Sequence, residues 1–181
     1  MNSRGKKIVI AIAAAIMALV MGPVAAHSAS DAYLTLDARP SAAAAGSGTI
    51  VAHGQWDIAL RDLDFVLGLD DDGDGNISWG ELRRHQADIA RYAYATLTAR
   101  GDNKICTIKP TRQMVVDHAD GVYAALFFDI VCTGAPKRLA LDYRLFFALD
   151  PSHRGIFVMR AGNGTATSLL SPENARIDLE L

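Results

Sequence analysis

From Ile105 onward, apolar and polar residues alternate with a period of two, as expected for strands with one face buried. Met114 and Val116 carry the alternation up to Asp120-Gly121, which reads as a hairpin turn. Val122, Ala124, Leu126, Phe128 and Ile130 resume it and lead to Cys132. Leu139, Leu141, Tyr143, Leu145 and Phe147 continue it, opposed by Arg138, Asp142 and Arg144. Asp150 to Gly155 and Ala161 to Gly164 are turn clusters around a strand at Ile156 to Arg160, and Ile177 to Leu181 reads as the last strand. Upstream, Tyr33 to Asp37 alternates as a half-buried strand. Arg39-Pro40-Ser41 and the alanines and glycines after it read as a loop, and Thr49 to His53 as a second short strand.

Between these β-like stretches the period changes to that of a helix. Leu82, Ile89, Tyr92, Ala93 and Thr96 mark one stripe of a helix running from about Trp79 to Ala99. A shorter helix precedes it, with Phe65, Val66 and Leu69 as the residues to be buried. The predicted fold is α+β: a mainly antiparallel β-sandwich-like domain over residues 27–181, with a helix-loop-helix inserted at about 56–99.

The twelve residues joining the two helices, Asp70 to Glu81 (DDDGDGNISWGE), have a register that a solvated turn does not require. Oxygen-bearing residues occupy positions one, three, five, seven, nine and twelve: Asp70, Asp72, Asp74, Asn76, Ser78 and Glu81. This is the ligand spacing of an EF-hand calcium loop. A hard divalent cation takes six to eight oxygens, and a short loop supplies them only by wrapping around the ion. Asp70, Asp72 and Asp74 would each present a carboxylate oxygen, Asn76 its backbone carbonyl, and Ser78 a direct or water-bridged contact. Glu81 would close the site with both oxygens. Gly75 falls where the chain must turn with positive φ, and Ile77 is the apolar residue that turns inward. Two positions of the exiting helix that usually face a partner helix hold His85 and Gln86 instead, and the chain contains no second loop in register. The expected partner for the Ile77 segment is therefore the chain's own β-domain or a second copy in a homodimer.

Residues 1–26 read as a Sec-type signal peptide of bacterial form. Arg4, Lys6 and Lys7 precede an apolar run from Ile8 to Met21, and Val24-Ala25-Ala26 offers small residues for cleavage. The expected location is periplasmic or secreted. Cleavage would remove three of the 18 Lys and Arg and none of the 20 Asp and Glu, leaving a net charge of about −5. That balance argues against nucleic acid as a partner. In an oxidising compartment the two cysteines, Cys106 and Cys132, are expected to form a disulfide.

Four segments together resemble the amino-terminal extracytoplasmic region of the HupE/UreJ family of bacterial membrane proteins. They are Ala26-His27 with Ser30-Asp31 and Tyr33 to Leu36, then Gly54 to Asp64 (GQWDIALRDLD), Leu67 to Leu82, and Tyr143 to Arg154 (YRLFFALDPSHR). The resemblance implies an accessory role in nickel or cobalt transport beside a separate membrane subunit. The family's membrane helices are absent from this sequence, so only the loop residues carry over as functional positions.

Other constellations are weaker. If cleavage falls after Ala26, His27 becomes the amino terminus and could chelate copper or nickel, with His53, His118 or His153 as a second ligand. Asp57, Asp62 and Asp64 read as the polar face of the entering helix or as support for the calcium loop. Asp117 and His118, adjacent on a strand, point to opposite faces and are not expected to act as a pair. Without a GxSxG elbow, an HExxH pair or a phosphate-cradling glycine loop, no enzyme is expected. Trp56 and Trp79 read as anchors, Trp79 standing at the tenth loop position. The sequence thus predicts an exported calcium-binding module in which the ion is structural or regulatory.

Overall fold

The computed structural model describes residues 30–38, 48–162 and 164–181. The signal segment, His27 and the loop beginning at Arg39 lie outside the described residues. Nine strands are described: β1 (Asp31–Ala38), β2 (Thr49–Ala59), β3 (Leu97–Gly101), β4 (Lys104–His118), β5 (Gly121–Cys132), β6 (Arg138–Tyr143), β7 (Arg154–Ala161), β8 (Gly164–Leu170) and β9 (Arg176–Glu180). Two helices, α1 (Leu60–Leu67) and α2 (Trp79–Ala95), fall between β2 and β3. The protein is thus α+β and β-rich.

The strands run in the order β8-β7-β1-β2-β5-β4-β3-β6-β9. The first and last strands of that order are consecutive in sequence, and the short Ser171–Asn174 turn carries the chain from one to the other, so the mixed sheet is nearly closed. All pairings are antiparallel except β1 with β7, which is parallel. β4 serves two neighbours in succession: Lys104 to Cys106 pair with β3, and Thr107 to His118 with β5.

Strand alternation largely decides what is inside. Ala32, Leu34, Leu36 and Ala38 of β1 point into the core, as do Leu126, Phe128 and Ile130 of β5 and Leu139, Leu141 and Tyr143 of β6. The ring of Trp56 on β2 lies 5.5 Å from that of Tyr143, tying the two halves of the sheet together. Gly155 permits this, because a Cβ there would stand 2.8 Å from the Tyr143 ring. Cys106 and Cys132 form the expected disulfide, with Cα atoms 4.4 Å apart, bridging β4 and β5 at the end remote from their hairpin turn.

Four local expectations are corrected. Trp56 to Ala59 belong to β2, so the entering helix is a short α1 starting at Leu60. Phe65 is 85% exposed: Leu60 and Leu63 fill the inner face of α1, and a residue two positions beyond Leu63 is carried to the outer side. The exiting helix stops at Ala95, where the Thr96 hydroxyl donates to the Ala93 carbonyl at 2.7 Å, and Leu97 to Gly101 join β6 instead. Finally, a bulge between Pro110 and Arg112 shifts β4 by one residue, so Val115 packs on the core and Met114 is 39% exposed.

Candidate metal centre

The loop is built from its two ends inward. α1 ends at Gly68, whose φ of 63° turns the chain out of the helix. The Asp64 side chain then accepts the N–H groups of Leu69 at 2.6 Å and Asp70 at 3.0 Å, which fixes the first loop residue. Asp64 thus supports the loop, as one sequence reading had it, whereas Asp57 and Asp62 are engaged elsewhere. Leu69 is fully buried and Ile77 packs against the core, so the loop is pinned to the domain on both sides of its turn.

At the other end Ser78 is the N-cap of α2. Its hydroxyl oxygen accepts the Glu81 N–H at 3.3 Å, and the Glu81 carboxylate accepts the Ser78 N–H at 2.8 Å, a reciprocal capping box. The second Glu81 oxygen accepts the Asp71 N–H at 2.9 Å. Glu81 is only 3% exposed, and its bonds to the side chain and backbone of Ser78 hold its carboxyl below the usual range. A buried carboxylate at the twelfth position is where an EF-hand places its closing ligand.

Between these anchors the aspartates turn inward. Oxygens of Asp70, Asp72 and Asp74 lie within 4.8 Å of one another, and among the described residues this is the one group of three or more His, Cys, Asp or Glu so arranged. Asp70 accepts the N–H groups of Gly73 at 2.9 Å and Gly75 at 2.8 Å, and Asp74 that of Asn76 at 2.8 Å. Gly73 and Gly75 have φ of 71° and 84°, conformations that side-chain-bearing residues adopt at a cost. The all-oxygen donor set fits a hard divalent cation. Glu81 stands outside the three-carboxylate group, and the Asn76 side chain is exposed.

Sequence reasoning missed the role of Asp71, the second loop residue. Arg84 donates to its Oδ2 from Nε at 2.8 Å and from Nη2 at 2.6 Å, and His85 Nε2 lies 2.8 Å from its Oδ1. His85 and Arg84 hold the Asp71 carboxyl below its ordinary range, and Asp71 in turn raises the His85 pKa. The polar residue at position 85 is therefore a clasp from α2 onto its own loop. Across a cleft from the loop stands the tip of the β4–β5 hairpin. A cleft of about 420 Å³ separates Ile77 and Asn76 from Asp120, Gly121 and Val122 at the hairpin tip.

The three histidines considered as transition-metal ligands are each engaged by other groups. His53 Nδ1 lies 2.7 Å from Asp129, and His118 Nε2 lies 3.1 Å from Asp57. His118, not paired with Asp117, stacks on Tyr33 and lies tilted against Tyr123. His153 is buried, its Nδ1 2.7 Å from Ser30 Oγ and its Nε2 2.7 Å from the Tyr143 hydroxyl. Ser30 donates to Asp62 Oδ2 at 2.9 Å, so its oxygen accepts from His153 Nδ1–H and the Tyr143 O–H donates to Nε2.

Among the described residues no helix is long and apolar enough to cross a membrane. No protein-family model matches the chain, and no curated protein matches it. The HupE/UreJ resemblance accordingly rests on its four sequence segments alone.

Proposed function

We propose that the protein is an exported calcium-binding module, in which one EF-hand, inserted in a disulfide-stapled sandwich-like β-domain, holds Ca²⁺ between Asp70, Asp72, Asp74, Asn76, Ser78 and Glu81. The observation that carries this reading is the convergence of the three aspartate oxygens within 4.8 Å, in a loop whose twelfth residue is a buried Glu81. Bound there, the cation would neutralise the clustered carboxylates and bind α1, the loop and the start of α2 into one unit. The disulfide is in keeping with an oxidising compartment. The ion's role is bracing: Leu69 and Ile77 connect the loop to the core, and the facing surface is a hairpin of the same domain.

The test is a calcium titration followed by the fluorescence of Trp79, with thermal melting in calcium and in chelator. The expected result is a saturable signal and a higher melting temperature in calcium, stabilisation reaching about 2.7 kcal/mol at a hundredfold excess over Kd. Glu81→Gln should weaken both. A wild type that responds in neither measurement overturns the proposal. The transport-accessory reading would instead require tight nickel, cobalt or copper binding that depends on a free His27 amine.

A further inference from the structure

On the side of α2 away from α1 and the loop cleft, the helix and β4 form the walls of a groove. Two adjoining hollows, of about 430 and 250 Å³, share Arg83, Gln86 and Gln113 in their lining. Three features define what it would take.

The first is a free strand edge. Thr107 to His118 pair with β5 on one side only, since β3 takes just Lys104 to Cys106. Among the described residues no strand occupies the other side, so alternate backbone N–H and C=O groups there lack a ladder partner. Pro110 and the adjoining bulge interrupt the edge at one point and leave Arg112 to Val116 as an extended stretch beyond it.

The second is charge. Arg83, Arg84 and Arg112 line the groove, and no aspartate or glutamate does, in a chain whose formal net charge is −2. Arg84 is engaged by Asp71, but Arg83 and Arg112 have no carboxylate partner among the described residues. Arg112 is exposed, its guanidinium carbon 4.3 Å from the centroid of the Phe127 ring.

The third is an apolar station at one end. Trp79 is 62% and Met114 39% exposed, and both line the smaller hollow beside Leu82. Aromatic residues, Arg and Met are enriched at binding surfaces.

We propose that this groove binds an extended acidic segment of a partner polypeptide. The segment would add as a strand along β4, set carboxylates on Arg83 and Arg112, and rest one apolar side chain against Trp79 and Met114. Neither Arg83 nor Arg112 is paired with a loop carboxylate, whereas Trp79 and the Asp71-bound Arg84 join the groove to the loop, so the peptide measurements are made both in calcium and in chelator. Its charge pairs would lie at the rim, so binding should weaken as salt is raised.

The experiment is selection of random octapeptides, displayed on phage, against the full chain, followed by synthesis of the recovered peptides and fluorescence anisotropy. Recovered sequences should be enriched in Asp and Glu and carry one Leu, Met or aromatic residue. Their affinity should fall about tenfold or more in R83E/R112E. It should stay unchanged in R91E, an arginine outside the groove that pairs with Asp88, and largely persist in R83K/R112K. Circular dichroism and melting establish that each variant is folded. Recovery of no peptides, of peptides without acidic enrichment, or of peptides indifferent to R83E/R112E overturns the proposal. So does a single-stranded oligonucleotide that binds the same arginines more tightly than the peptides do.

Discussion

The hydroxyl of Tyr143 donates to His153 Nε2 across 2.7 Å of fully buried space, and both rings lie nearly parallel. This pairing requires a neutral imidazole, since a protonated Nε2 could not accept. Burial accordingly lowers the His153 pKa to about 4.

Stability should therefore fall in mildly acidic solution. The unfolded chain takes up a proton on His153 below about pH 6.5, while the folded one resists until about pH 4. The contribution is present in full above pH 6.5 and is lost progressively down to pH 4, amounting to about 3 kcal/mol. Urea melts at pH 7, 5.5 and 4.5 should show this decline, and in His153→Gln the slope over that window should flatten. An equal slope in both proteins would place the effect elsewhere.

Removing the disulfide should cost roughly 3 to 4 kcal/mol in a chain-entropy account, because it closes a span of 26 residues. The Cys106→Ser/Cys132→Ser variant, compared with the oxidised protein by chemical denaturation, measures this. A loss under about 1 kcal/mol would mean that the two-residue hairpin turn already supplies most of the constraint.

Gly54 on β2 stands opposite Phe128 on β5, whose ring lies where a Gly54 side chain would begin. Gly54→Ala should destabilise by about 1 to 3 kcal/mol. Phe128→Leu in that background should cost less than it does alone, giving a favourable coupling in a double-mutant cycle. Additive costs would contradict the close approach.

The two candidate inner faces of α1 separate cleanly by mutation. Leu63→Ala should cost about 2 to 5 kcal/mol, as expected for a fully buried leucine, and Phe65→Ala no more than about 0.5 kcal/mol. The reverse ranking would restore the burial pattern inferred from sequence.

What could be read from sequence depended on how local the cause was. The turns of the loop were legible because Gly75 answers a short-range need for positive φ, and the three aspartates that converge there follow the same short spacing. The strands were legible where one face is buried, as in β1 and β6. The bulge at Pro110 was not, because one inserted residue inverts every inward position after it, and only Gln113 and Val115, read by burial, reveal the shift. The ends of the helices were misplaced because partners distant in sequence claimed the flanking residues. β5 takes Trp56 to Ala59 into the sheet, and β6 takes Leu97 to Gly101. Asp71 gave no signal, since its importance comes from Arg84 and His85 a full loop away.

The place of β1 between β2 and the parallel β7 has a kinetic consequence. Ser30 and His153 meet across 123 residues of chain. β1 can pair with β2 as soon as both are present, but its other edge meets β7 and stays open until nearly all later strands exist. α2 caps itself through Ser78 and Glu81, but Leu63, Leu69 and Ile89 are covered only once the sheet is there. Completion is then a late and slow event, the closing of a long loop, and a chaperone for this protein would be needed chiefly over that interval.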